Sequence, residues 1–186
     1  MKKIVLIFGL ISAALMSLFM FTMMAFIDKI GMDTGVILGY TSMVLAFMLV
    51  FFGIRSYRDN VGGGSVTFGR AFAVGLLITL ISSVFYVIAW EIVYFNFMPD
   101  FLDKYSAYMV EKARAAGATP EAIQKQVDEM QQFKKLYNNP FINFAFTFTE
   151  PFPVGLVITL ISALVLRKKP KQTTPSEAAT EGQLAH

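Results

Sequence analysis

The chain has 186 residues, 55% of them hydrophobic, with a mean hydropathy of +0.57 and a net charge of +3. That is too apolar for an ordinary soluble domain, and the length suits four membrane spans of about 20 residues each plus one modest loop region. There is no cysteine, and the only histidine is the terminal His186, so cysteine nucleophiles, thiolate metal sites and a Ser-His-Asp site are excluded.

Residues 4–27 are continuously apolar behind Lys2 and Lys3. This run exceeds the about 7–15 residues of a signal-peptide core, and it reads as a first span. A short polar connection, DKIGMDT, leads to a second span over 35–54. A basic, glycine-bearing loop follows over 55–70, then a third span over 71–95 whose end carries Trp90 and Tyr94, residue types that favour the membrane interface.

Residues 96–140 differ in kind, with six acidic and six basic side chains. Phe101, Tyr105, Tyr108 and Met109 recur at helical spacing, and Gly117 ends that run. Thr119-Pro120 has the form of an N-cap and first residue of a second helix, along which Ile123, Val127, Met130 and Phe133 make an amphipathic stripe. The expectation is a helical hairpin outside the bilayer. Residues 141–166 form a fourth span, interrupted near its start by Glu150-Pro151-Phe152-Pro153. Arg167, Lys168, Lys169 and Lys171 follow, and the polar remainder of the 167–186 tail is expected to be disordered.

The predicted architecture is therefore all-α: an integral membrane protein with four transmembrane helices. The basic groups at Lys2–Lys3, Arg55–Arg70 and Arg167–Lys171 fall on one side, which should be cytoplasmic, with both termini inside and the hairpin outside.

One segment is written twice. TFGRAFAVGLLITLIS (67–82) and TFTEPFPVGLVITLIS (147–162) share eleven of sixteen positions at an offset of eighty residues, and Tyr57 and Tyr137 keep the same offset. With spans three and four antiparallel, this is the form of an inverted-topology repeat. Gly75, Thr79 and Ser82 share a helix face, as do Gly155, Thr159 and Ser162, and small residues with hydroxyls let membrane helices approach closely. Such faces suit packing within the chain or a homodimer. Gly9, Ala13 and Ser17, and Gly35 with Gly39, offer similar faces.

Glu91 and Glu150 are the carboxylates beside the spans. They form a candidate cation or proton site, weighed against a plain interfacial position or pairing with Lys29. Gly62-Gly63-Gly64 with Arg58 and Arg70 resembles an anion cradle but lacks the Gly-Lys-Ser/Thr ending of a P-loop, so a turn is expected. Arg55, Arg58 and Arg70 would then contact lipid headgroups or an anion. No cofactor, metal or nucleic-acid partner is implied.

The stretches FFGIRSYRDNVGGGSVTFGRAF, WEIVYFNFMPDF and EPFPVGL resemble the bacterial domain-of-unknown-function family numbered 4199. The resemblance extends to about Lys169. It implies a multi-span inner-membrane protein, of a family found mainly in Bacteroidota, and brings no activity or catalytic residue with it. Two functions follow as expectations. The first is a non-catalytic scaffold or accessory protein that contacts an envelope partner through its hairpin. The alternative is a small dimeric transporter or channel built on the repeat. Enzymatic activity is not expected; lipid modification by carboxylates and arginines alone would be the exception.

Overall fold

The computed structural model describes residues 1–168, so the expected tail disorder, Lys169 and Lys171 lie outside the described residues. Among the described residues seven helices follow one another: α1 (Lys2–Ile30), α2 (Met32–Asn60), α3 (Phe68–Asn96), α4 (Phe101–Ala115), α5 (Pro120–Tyr137), α6 (Pro140–Phe148) and α7 (Pro151–Leu166). The fold is all-α, and four stretches are long and apolar enough to cross a membrane: Lys2–Ile27, Met32–Asn60, Phe68–Asn96 and Pro140–Leu166. Leu18, Ile37, Leu45 and Val165 are each about two-thirds exposed, as expected of side chains facing lipid.

The helices outrun the apolar stretches that announce them. The connection DKIGMDT shrinks to Gly31, whose φ of 81° lets α1 and α2 reverse in one residue. The predicted loop 55–70 shrinks to 61–67, because α2 continues to Asn60 and α3 starts at Phe68. Hydropathy marks where the apolar side chains stop, whereas backbone hydrogen bonding continues through polar residues in water. Arg55 and Arg58 both pair with Asp59 in that extension, at 3.7 and 2.7 Å.

α2 and α3 form the centre, with α1 packed on both from one side and α7 on both from the other. α1 and α2 run antiparallel: Phe8 lies against Gly53, and the Ser12 hydroxyl donates to the Ala46 carbonyl at 3.1 Å. The Ser82 hydroxyl bonds the Gly9 carbonyl on α1 at 3.1 Å. Each such bond contributes about 0.6 kcal/mol within a membrane.

The two copies of the repeated segment meet each other. Thr79 and Thr159 share a hydrogen bond at 3.0 Å, eighty residues apart. A Cβ built on Gly75 would lie 2.7 Å from the Thr159 methyl, and one built on Gly155 would lie 2.5 Å from the Thr79 methyl. Position for position the contact is reciprocal, as in a two-fold interface. It is also antiparallel, since Val66 pairs with Lys168, Gly75 with Thr159, and Thr79 with Gly155. The Val66–Lys168 bridge, with bonds of 3.0 and 2.9 Å, joins the α2–α3 connection to the end of α7.

Of the two uses these faces suit, the structure shows packing within the chain. Gly75, Thr79, Gly155 and Thr159 are buried within one chain, Ser82 turns to α1, and Ser162 is buried as well. At Gly39 there is open space rather than a neighbouring helix.

Gly75→Ala and Gly155→Ala should each lower the thermal unfolding temperature of the purified protein in detergent, by the roughly 1–3 kcal/mol typical of overpacking. Gly39→Ala should cause no loss. Equal melting curves for all three would remove the reciprocal contact as a source of stability.

Candidate functional site: a capped cavity at a broken helix

The repeat is not symmetric where it begins. In the first copy the Ala71 amide donates to the Thr67 carbonyl at 2.9 Å and α3 starts without interruption. The matching residue in the second copy is Pro151, which has no N–H to donate. There the Glu150 amide turns back to the Thr147 carbonyl at 3.1 Å, the helix breaks, and α7 starts at Pro151. Glu150 therefore occupies the N-terminus of α7, where the helix dipole favours a negative charge.

Beside the break lies a partly open cavity of about 530 Å³ lined by residues of α1–α6, within the size range of small-molecule pockets. α1 contributes Met16, Met20, Met23 and Met24, a run at one helical face. α2 contributes Gly35 and Gly39, and the open space beside Gly39 is part of the chamber. Tyr86 and Trp90 of α3, Phe101 and Tyr105 of α4, and Phe133 and Tyr137 of α5 supply rings. Glu150 lines the cavity, is exposed, and is its sole charged lining residue among those described.

Hydrogen bonds hold the roof. The Trp90 indole N–H donates to the Tyr137 hydroxyl at 2.9 Å, Tyr137 meets Thr147 at 2.8 Å, and Thr147 donates to Asn143 Oδ1 at 3.2 Å. Burial pushes the Tyr137 phenol up, opposed by its bonds with Thr147 and Trp90, so it stays protonated and able to donate. Tyr94 adds a bond to Asn138 at 2.8 Å. Trp90 stacks edge-on against Phe101 with centroids 5.2 Å apart, and Phe133 meets Tyr137 at 5.1 Å. An exposed Lys112–Asp33 pair at 2.9 Å links α4 to the start of α2.

α4 and α5 pack on each other across the Gly117 turn, where φ is 79°, and Thr119 caps α5 by accepting the Ala122 amide at 3.3 Å. Met130, Phe133, Phe101 and Met98 pack against the core. Part of the amphipathic surface of this hairpin is thus turned onto its own bundle.

The candidate residues separate. Glu150 lines the cavity, whereas Glu91 follows Trp90 by one residue, about 100° around the helix, and does not line it. One Glu91 carboxylate oxygen is buried without a hydrogen-bond partner, as is Asn143 Nδ2. Among the described residues no ion pair joins Lys29 to either glutamate; its ammonium lies 5.8 Å from the Phe26 ring centre. The triglycine is a turn: the amides of Gly62 and Gly64 are spent on the carbonyls of Tyr57 and Arg58, which caps α2. Arg55 and Arg70 are exposed, and Arg58 is half-buried against Asp59.

Sequence reading missed the cavity and its polar roof. Two signals were present: four methionines on one face of the first span, and Asn143 with Thr147 one turn apart inside an apolar run.

These features define a helical, multi-span membrane protein with a partly open cavity under its α4–α6 cap. The chain belongs to the family of proteins of unknown function DUF4199, whose model matches residues 6–168. Neither a curated protein nor a solved structure matches it.

Tyr137→Phe would leave the buried Trp90 N–H without its acceptor and remove the bond to the Thr147 hydroxyl, which still donates to Asn143 Oδ1. It should cost about 1–3 kcal/mol of stability and shift the emission of Trp90, the only tryptophan. An unchanged spectrum and melting temperature would mean the chain of bonds does not hold the roof.

Proposed function

We propose that the protein is a non-enzymatic, multi-pass protein of the bacterial cytoplasmic membrane that admits a small ligand to the cavity beside Glu150, as a binding or transport protein. The observation that carries this reading is the placement of Glu150. It stands at a helix break inside an inverted repeat, facing a chamber, as ligand sites do in discontinuous-helix transporters. Depth supports it. With the inner boundary at Leu166, just before Arg167 and Lys168, Glu150 lies about 24 Å along α7, inside a hydrocarbon layer of about 30 Å. A carboxylate there is costly, and an ionisable residue at such depth marks a functional site by default. Glu91, about 35 Å along α3 from Phe68, falls beyond that layer.

The orientation is the one the basic residues favour, with both termini and the 61–67 connection inside and α4–α5 outside. The bridge between Val66 and Lys168 supports a common side for that connection and the end of α7. The scaffold reading has less behind it, because Met130 and Phe133, half of the α5 stripe that would meet a partner, pack on the chain's own bundle.

Single cysteines test both parts in an otherwise cysteine-free chain. In spheroplasts, a membrane-impermeant maleimide should label Gln131→Cys on α5, and should label Asn60→Cys only after lysis. Identical behaviour of the two would overturn the orientation. Ser42→Cys, in the cavity wall, should react with a small maleimide faster than Val44→Cys on the exposed apolar side of α2, because a thiol needs water to ionise. Equal inertness would mean that the chamber is closed to aqueous solutes, and the ligand-binding reading would fail.

A further inference from the structure

We infer that the cavity selects a hydrophobic monovalent organic cation, with its charge beside Glu150 and its apolar body among the methionine and aromatic walls. The inference rests on the cavity reading above and gives it a ligand class.

Three observations converge. The first is charge: no lysine, arginine or histidine is among the described lining residues, so Glu150 is the one charged side chain there, offset only in part by the positive end of the α7 dipole. A neutral ligand would leave the remaining negative charge without a partner, which a cation would supply. In walls of low dielectric that penalty is larger than in water.

The second is the surface offered to the rest of the ligand. Tyr86, Trp90, Tyr105 and Tyr137 bring π faces, which attract a cation and also bury apolar area. The α1 methionines add unbranched, polarisable side chains that conform to irregular shapes. A hard metal ion finds little here. Magnesium or calcium requires about six oxygen ligands, and the lining offers one carboxylate with scattered hydroxyls.

The third is size. About 530 Å³ is far more than a bare ion needs and is suited to a molecule of several rings or a short alkyl body. A delocalised or fully substituted cation also loses little hydration on entering such a site, unlike a primary ammonium.

Trp90 lines the cavity and is the only tryptophan, so its emission reports occupancy without a label. The full-length protein in detergent would be titrated with tetraphenylphosphonium and, separately, with tetraphenylborate, which has nearly the same shape and the opposite charge. The expected result is a saturable emission change and a raised unfolding temperature with the phosphonium only. Glu150→Gln should weaken that binding by about tenfold or more, whereas Glu91→Gln, outside the cavity, should not. If both ions act alike, or if Glu150→Gln binds the cation as the parent does, the cation inference is overturned and an apolar or lipid occupant takes its place, with the cavity reading intact. If neither ion acts saturably, the cation inference falls together with this use of the cavity. The comparison of the two ions on the parent chain decides the matter even if Glu150→Gln does not fold.

Discussion

The contact between Thr79 and Thr159 fixes most of what is interesting in this molecule. Each threonine methyl fills the notch left by the glycine of the opposite copy, and the two hydroxyls bond between them. Lipid supplies no hydrophobic drive between helices, so membrane packing depends on close approach and on such bonds. Here both come from one short motif used twice. The contact sets the antiparallel register of α3 and α7. That register determines which part of the fourth span faces the upper half of α3, and so places the α6–α7 break where Trp90 and Tyr86 can form a wall beside it.

The two copies then diverge for a plain covalent reason. Ala71 can donate an amide proton and Pro151 cannot, so one copy makes a continuous 29-residue helix while the other starts anew after a bend. The substitution of Arg70 by Glu150 follows the same division. Arg70 lies at the end of its span, where lysines and arginines gather. Glu150 lies at the positive end of a short helix that begins partway through a span. A fully symmetric repeat would have filled this region with a second unbroken helix. The chamber is a product of the departure from symmetry.

Much of the fold was legible because apolar length, prolines and charged flanks are local signals. The four spans, the turn at Gly117 and the cap at Thr119 all come from residues acting on their own neighbourhoods. Helix ends were less legible at Arg55–Asn60 and at Asp28–Ile30, where backbone bonding continues after the apolar side chains stop. The site was least legible, because it depends on pairings between distant segments. Trp90 meets a tyrosine 47 residues away, and nothing local to either residue announces that bond. Glu91 and Glu150 looked alike in sequence as carboxylates near a span end. Only the register separates them, putting Glu150 on a cavity wall and Glu91 elsewhere on α3.

The polar roof bears on how the chamber could open. Trp90, Tyr137, Thr147 and Asn143 link α3, α5 and α6 by three bonds in series, and Asn143 ends the series with an amide nitrogen that has no partner. The tie on the other side, Lys112–Asp33, is an exposed ion pair, screened by solvent and weak, and Lys134–Asp103 joins α5 to α4 within the hairpin. α4 to α6 are thus held to the bundle by ring packing and by a bond series with one unsatisfied end, whereas α3 and α7 are held to each other by interlocked glycines and threonines. Movement that admits a ligand would come at the roof, with the repeated helices as the fixed frame.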